Sequence, residues 1–338
     1  MPKIHGQSRL ASPQPVIPSS GISKVNGQQL EQVPILQAQG SASPPTKDFA
    51  TRILEKLLSG KDIFSKSLLV SFAFGASIID SLLGISGTPS GIMERLHSKL
   101  IFIPDRTQSP LPDNVPYERV EIETSDKKTL RGLFFPHPQV TTSKTVIYLH
   151  GNEGNVYSWW PDCVEMQKHV PVNILLVDYR GYGDSDDEMP TRASLSKDIT
   201  ANHDFLINRG VKPKDIYPYG ISLGAVAAII LAASREVGAV AAGCPFASIR
   251  EIAKDRYPPL AAFAKNDLLN AKRIIKKVHV PFLIFHGIKD KDTPIRHTYM
   301  IYNAANNPKR ILTFEEAEHT LRSYFNEEYY SALRELFV

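Results

Sequence analysis

From about residue 100 onward the chain is built of short apolar runs. In "YERVEIETSDKKTLRGLFFP", residues 117–136, apolar and polar positions alternate on both sides of Ser125-Asp126-Lys127-Lys128, the period-two pattern of an antiparallel hairpin. "TVIYLHG", "VNILLVDYRG", "DIYPYG", "VGAVAAGCPF" and "PFLIFHG" then follow as near-continuous apolar runs. Between most of them lie stretches with helical character, such as "ASLSKDITANHDFLINRG" at 193–210. Runs apolar on both faces that alternate with helices predict an α/β fold, a mostly parallel sheet covered by helices on both sides. A last strand in "RILTF" and an amphipathic C-terminal helix close the pattern. Ligands of such folds sit at the carboxyl ends of the strands, so the loops that begin there carry the candidate chemistry.

The N-terminal part reads differently. Residues 1–47 hold seven prolines, seven glutamines and seven serines without helical or strand periodicity, and are expected to be a disordered tail. No apolar core lies in the first thirty residues, which argues against a cleaved secretory signal. Residues 48–99 are expected to form a helical, apolar segment, within which "SLLVSFAFGASIIDSLLGISG", residues 67–87, is long enough to cross a bilayer. It contains Asp80, whose carboxylate near the centre of a spanning helix would cost about 2.5–3.5 kcal/mol. The expectation is membrane association, single-pass or peripheral, with a helix packed on a cytoplasmic domain as the alternative. Residues 100–338 are then the α/β domain.

Charge narrows the function classes. The net charge is +4, of which residues 1–47 carry +3, so the body is balanced and has no basic stripe for a nucleic acid. Two cysteines, Cys163 and Cys244, lie far apart, which argues against a disulfide framework or a thiolate metal site. No His/Asp group shows metal-ligand spacing, and the expectation is an enzyme without metal or cofactor. Nothing in the pattern specifies an oligomeric state.

Four strand-end loops carry candidate chemistry. Gly220-Ile221-Ser222-Leu223-Gly224 matches G-x-S-x-G between an expected strand, Ile216 to Tyr219, and a small-residue helix, Leu223 to Ala233. That context exposes a serine hydroxyl at the top of a sheet and aims a helix N-terminus at a developing oxyanion. "HGNEGN", residues 150–155, offers the backbone N–H of Asn152 or Glu153 as a second oxyanion donor beside that of Leu223, with His150 holding the loop. "HGIKDKDTP", residues 286–294, presents Asp290 and Asp292, either able to orient an imidazole, with Asp290 favoured because a turn ended by Pro294 follows it. His319 stands between the last strand and the last helix. The order Ser222, Asp290, His319 is the Ser…Asp…His order.

With "YLHGNEGN", "LLVDYRGYGDSD", "YGISLGAVAA", "PFLIFHGIKDKDTP" and the histidine of "EEAEHT", the chain from about Leu100 to its C-terminus resembles the α/β-hydrolase superfamily. More narrowly it resembles the ABHD-type serine hydrolases related to the yeast bud-emergence protein, which carry an N-terminal membrane segment. The resemblance implies Ser222 as nucleophile, Asp290 rather than Asp292 as the acid, His319 as the base, and backbone donors near Asn152 and at Leu223. Two departures stand out: Glu318 precedes His319 where the family has a glycine, with Glu315 and Glu316 close by, and Glu153 adjoins the oxyanion position. These four side chains are expected to face solvent.

The implied reaction is hydrolysis of a carboxylic ester or thioester through an acyl-enzyme. Only about 33 residues separate the runs at 237–247 and 281–286, where this fold often inserts a lid. Tyr257 and Phe263 in that stretch are candidates for an apolar wall against an acyl chain, which with residues 67–87 favours lipid or acyl-chain substrates. A peptidase of the same fold and a catalytically silent binding protein are the alternatives.

Overall fold

The computed structural model describes residues 98, 101–111, 113–256 and 269–337. The tail at 1–47, the apolar segment at 67–87 and the wall residues Tyr257 and Phe263 lie outside them. Among the described residues no helix is long and apolar enough to cross a membrane.

The period-two segment folds as a hairpin of β1 (Glu118–Glu123) and β2 (Thr129–Phe135), paired antiparallel from Glu118↔Phe134 to Glu123↔Thr129. The apolar runs become β3 (Thr145–Leu149), β4 (Asn173–Val177), β5 (Ile216–Ile221), β6 (Val240–Gly243) and β7 (Phe282–Gly287), with β8 (Lys309–Phe314) last. Among the described residues these eight strands form one sheet in the order β1-β2-β4-β3-β5-β6-β7-β8, parallel throughout apart from β1 and β2. The α/β expectation, a mostly parallel sheet between helical layers, is thus what the chain adopts.

Pleating divides each buried strand between two cores. Ile147, Leu149, Val240, Ala242, Phe282 and Ile284 face one side, where α2 (Arg192–Asn208) and α3 (Leu223–Ala232) pack. Val146, Tyr148, Ala241, Leu283 and Phe285 face the other, against α1 (Val156–His169) and α7 (Glu327–Phe337). The shorter helices α4 (Ile249–Arg256), α5 (Ala271–Ile274) and α6 (Arg296–Ala304) follow β6 and β7. Every residue of β3, β5 and β7 is buried, the physical reason those runs are apolar at consecutive positions.

Buried polar groups lock the loops at the strand ends. Arg180, just past β4, is 1% exposed and bonds Asp198 of α2 at 2.7 Å and Asp126 of the hairpin turn at 2.9 Å. α1 begins with a capping box, in which Asn155 accepts from the Tyr157 N–H and the Ser158 hydroxyl accepts from the Asn155 N–H. The Asn155 amide also donates to the carbonyls of Asp105 and Thr107, tying the incoming chain to this helix.

The tightest joint lies between β3 and the β5–α3 turn. A Cβ on Gly224 would fall 1.9 Å from the Leu149 carbonyl oxygen and 2.6 Å from that of His150. One on Gly220 would fall 2.2 Å from the Gly224 backbone. Both glycines are therefore required by backbone contact, which no rotamer change relieves. Gly224→Ala should lower unfolding stability by about 1–3 kcal/mol, the usual cost of overpacking, and a denaturant midpoint equal to wild type would show that the joint yields instead.

Candidate active site

Ser222 occupies the single-residue turn from β5 into α3. Its backbone sits at φ 56°, ψ −116°, a region that costs a non-glycine residue about 1–3 kcal/mol. The turn is held by the Ser222 N–H donating to the Gly243 carbonyl at 2.8 Å, and by the close approach of Gly220 and Gly224. Strain spent there lifts the hydroxyl above the strand ends.

Three strand-end loops converge on it. His319 lies on the loop after β8, and its Nε2 is 3.0 Å from Ser222 Oγ while its Nδ1 is 2.7 Å from Asp290 Oδ2. Asp290 follows β7 with a side chain sealed from solvent, whereas that of His319 keeps 24% of its surface exposed. Asp292, the other carboxylate of the loop, contributes its backbone instead, as its N–H donates to Asp290 Oδ1 at 2.8 Å.

Asp290 is fully engaged. Oδ1 accepts from the N–H groups of Asp292 and Thr293, both at 2.8 Å. Oδ2 takes His319 and lies 3.1 Å from His286 Nε2. His286 Nε2 also faces the Thr293 carbonyl at 2.7 Å, so the proton resides on Nε2, and Nδ1 accepts from the Thr298 hydroxyl at 2.6 Å. Burial disfavours the Asp290 charge, yet the His319 charge and the bonds from His286 and His319 outweigh it and hold the carboxyl below its ordinary range.

His319 shifts the other way. Desolvation pulls its pKa down, but the charge and hydrogen bond of Asp290, with a further contribution from the Cys244 thiol, raise it well above the ordinary histidine value. Glu315, Glu316 and Glu318 are exposed, and Glu316 pairs with Lys289, so the raised value comes from the Asp290 side of the ring. Glu153, expected in solvent with them, is half-buried.

The loop after β3 faces the same turn. His150 is fully buried, and its Nδ1 lies 2.7 Å from the Gly151 carbonyl, which places the proton there. Burial lowers its pKa to about 4, so it stays neutral and holds the loop, as its place before the glycine turn suggests. The Tyr179 hydroxyl donates to the His150 carbonyl and the Tyr182 hydroxyl to the Asn152 carbonyl, each at 3.0 Å. The Asn152 amide donates to the Ile101 carbonyl at 3.2 Å. Among the described residues, the backbone N–H groups of Asn152 and of Leu223, the first residue of α3, donate to no protein acceptor.

Two residues here escaped the sequence. Cys244 comes one residue after β6 at φ 47°, buried, with its sulfur against His319, and burial raises its thiol pKa. His286 carries no local signal beyond its place at a strand end. Folding also assembles two groups that spacing alone did not suggest, Cys244/His286/Asp290 and Asp290/Asp292/His319, each with its donor atoms within 4.8 Å. Both depend on Asp290, whose oxygens already accept from the N–H groups of Asp292 and Thr293 and from His319.

A strained serine in line with an imidazole and a buried carboxylate can generate a nucleophile, and two free N–H groups beside it can bind developing negative charge.

No protein-family model matches the chain. It is 30% identical over 215 residues to the protein YfhR of Escherichia coli K12, a match covering 62% of this chain and 75% of YfhR. It is 26% identical over 214 residues to the protein bem46 of Schizosaccharomyces pombe, covering 61% of this chain and 71% of bem46. Among solved structures it is similar to the Pyrococcus furiosus esterase Pf2001, with a TM-score of 0.58, 22% identity, and 70% of this chain and 96% of the esterase covered. At that identity the likeness shows the fold.

The electrostatics give a test that needs no substrate. Titration of His319 by NMR should give a midpoint above the ordinary ~6.5, and Asp290→Asn should move it down by removing the charge that favours the imidazolium. An unchanged midpoint in Asp290→Asn would contradict the coupling.

Proposed function

The chain belongs to the α/β-hydrolase superfamily, in the family of YfhR, and on that footing we propose that it is a serine hydrolase that cleaves carboxylic esters or thioesters through an acyl-enzyme on Ser222. The observation that carries this reading is the unbroken hydrogen-bond chain Ser222–His319–Asp290, at 3.0 and 2.7 Å.

In the proposed reaction His319, deprotonated above its raised pKa, takes the Ser222 proton at Nε2 as Oγ attacks the carbonyl carbon. The imidazolium that forms is stabilised by Asp290, which keeps its negative charge because the N–H groups of Asp292, Thr293 and His319 point at it. The oxyanion is received by the N–H groups of Leu223 and Asn152, and each such donor is worth about 2.7–4 kcal/mol in related sites. His319 then gives its proton to the leaving oxygen or sulfur. Water, activated by the same nitrogen, releases the acid in the second half.

The apolar composition of residues 67–87 supports an acyl-chain or lipid substrate met at a membrane. The esterase fold relative is in keeping with ester substrates. A binding protein without catalysis is disfavoured by the strain held at Ser222, which a binding role does not require.

The deciding experiment is labelling by a fluorophosphonate. Wild type should label, Ser222→Ala should not, and His319→Ala and Asp290→Asn should label roughly 10³–10⁴-fold more slowly. Hydrolysis of 4-nitrophenyl esters from acetate to palmitate then tests the acyl-chain preference, which fails if kcat/KM falls steadily with length. Folded wild type that takes no label between pH 5 and 9 would sink the hydrolase reading and leave the binding protein in its place.

A further inference from the structure

Three residues beyond His319, the chain enters a 3-10 turn, Arg322–Tyr324. The Arg322 guanidinium lies 4.7 Å from the centroid of the Trp159 ring, and its Nε donates to Asp162 Oδ2 at 2.7 Å. Trp159 and Asp162 are three residues apart on α1 and so share one face of it. The same carboxylate oxygen accepts from the Tyr148 hydroxyl, 3.2 Å away on β3. Asp162 is 13% exposed at its side chain, so this partner is fixed rather than a mobile surface acid.

The other side of Trp159 reaches the loop after β3. Its indole Nε1 donates to the Glu153 carbonyl at 2.9 Å, which sets the orientation of the Glu153–Gly154 peptide. Gly154 sits at φ +72°, and a Cβ there would fall 3.1 Å from Nε1 and 2.2 Å from the Ser158 hydroxyl oxygen. The rim of the same ring would lie 3.3 Å from a Cβ on Gly151. A single indole therefore contacts the loop that carries Asn152 and bears the guanidinium that follows His319.

We propose that Trp159 and Arg322 are positioning residues that clamp the His319 loop to the Asn152 loop and so fix the imidazole relative to the oxyanion donors. This rests on the hydrolase reading above. Neither residue touches the reacting atoms. The guanidinium is the planar group that can stack on an indole and donate to a carboxylate at once, which a lysine cannot do. Displacements of about 1 Å in reacting groups cost on the order of 10²-fold in rate, so a loosened clamp should register in chemistry before it registers in folding.

The test compares Arg322→Ala, Arg322→Lys and Trp159→Phe with wild type in the full chain. Fluorophosphonate labelling should slow by roughly 10–100-fold in Arg322→Ala, with KM for 4-nitrophenyl acetate nearly unchanged and the loss carried by kcat. Trp159→Phe, which keeps an aromatic face but loses the N–H, should fall in between, and Arg322→Lys should recover only part of the loss.

The NMR midpoint of His319 gives a readout that a merely structural role would not move. The titratable groups that act on the ring are Asp290 and Cys244. Loosening the bond to Asp290 lowers the midpoint, whereas simple loss of a nearby positive charge would raise it. A fall in Arg322→Ala therefore supports positioning, and an unchanged or raised midpoint with wild-type labelling overturns it. If wild type itself takes no label, the hydrolase reading fails by itself, and the clamp is judged on the midpoint. Arg322 is 45% exposed, so its two variants test the clamp without opening the core.

Discussion

The architecture turns on a backbone-to-backbone contact: the Gly220–Gly224 turn seated against the carbonyls of Leu149 and His150. It joins the ends of two adjacent parallel strands, β3 and β5, with no side chain between them. Ser222 with the Leu223 N–H on one side and the Asn152 N–H on the other then share one rigid frame. Pairing of β6 to β5 adds the Ser222 N–H to Gly243 carbonyl bond, so the unfavourable φ of Ser222 is imposed from both sides. Everything else at the site is brought to this frame.

What is brought is an electrostatic gradient. Asp290 has a side chain sealed from solvent and is charged despite burial because the N–H groups of Asp292 and Thr293 and the His319 ring point at it, with His286 Nε2 3.1 Å away. His319 lies between that charge and solvent, with Ser222 at its outer nitrogen. The same logic in reverse keeps His150 neutral, since a buried imidazole bonded to a carbonyl has no compensating charge that acts strongly enough.

The sheet was legible because its strands are buried on both faces. β3, β5 and β7 are mostly apolar on both faces for that reason, and β1 and β2 announced themselves by alternation. β6 was harder. "VGAVAAGCPF" reads as one long run, yet the strand ends at Gly243 because Cys244 turns away at φ 47°. Ser222 was readable from local glycine spacing, since the constraint on it is local. The choice between Asp290 and Asp292 was not settled by their own loop, where charges alternate, and needed either the resemblance or the tertiary position of His319. Trp159, Asp162 and Arg322 left no trace at all. Their contact spans 160 positions in sequence and obeys no period, so only the folded chain displays it.

Among the described residues β8 lies at an edge of the sheet and is paired on one side only, to β7. The loop bearing His319 hangs from this strand, whereas Ser222 hangs from β5 in the interior. Edge elements open at lower free energy than the strands they flank, so the site is divided between two regions of unequal local stability. An opening confined to β8 would withdraw the imidazole and leave the Ser222 turn folded. The contact between His319 and Ser222 can therefore be lost by a sub-global opening, well short of the cooperative unfolding of the core.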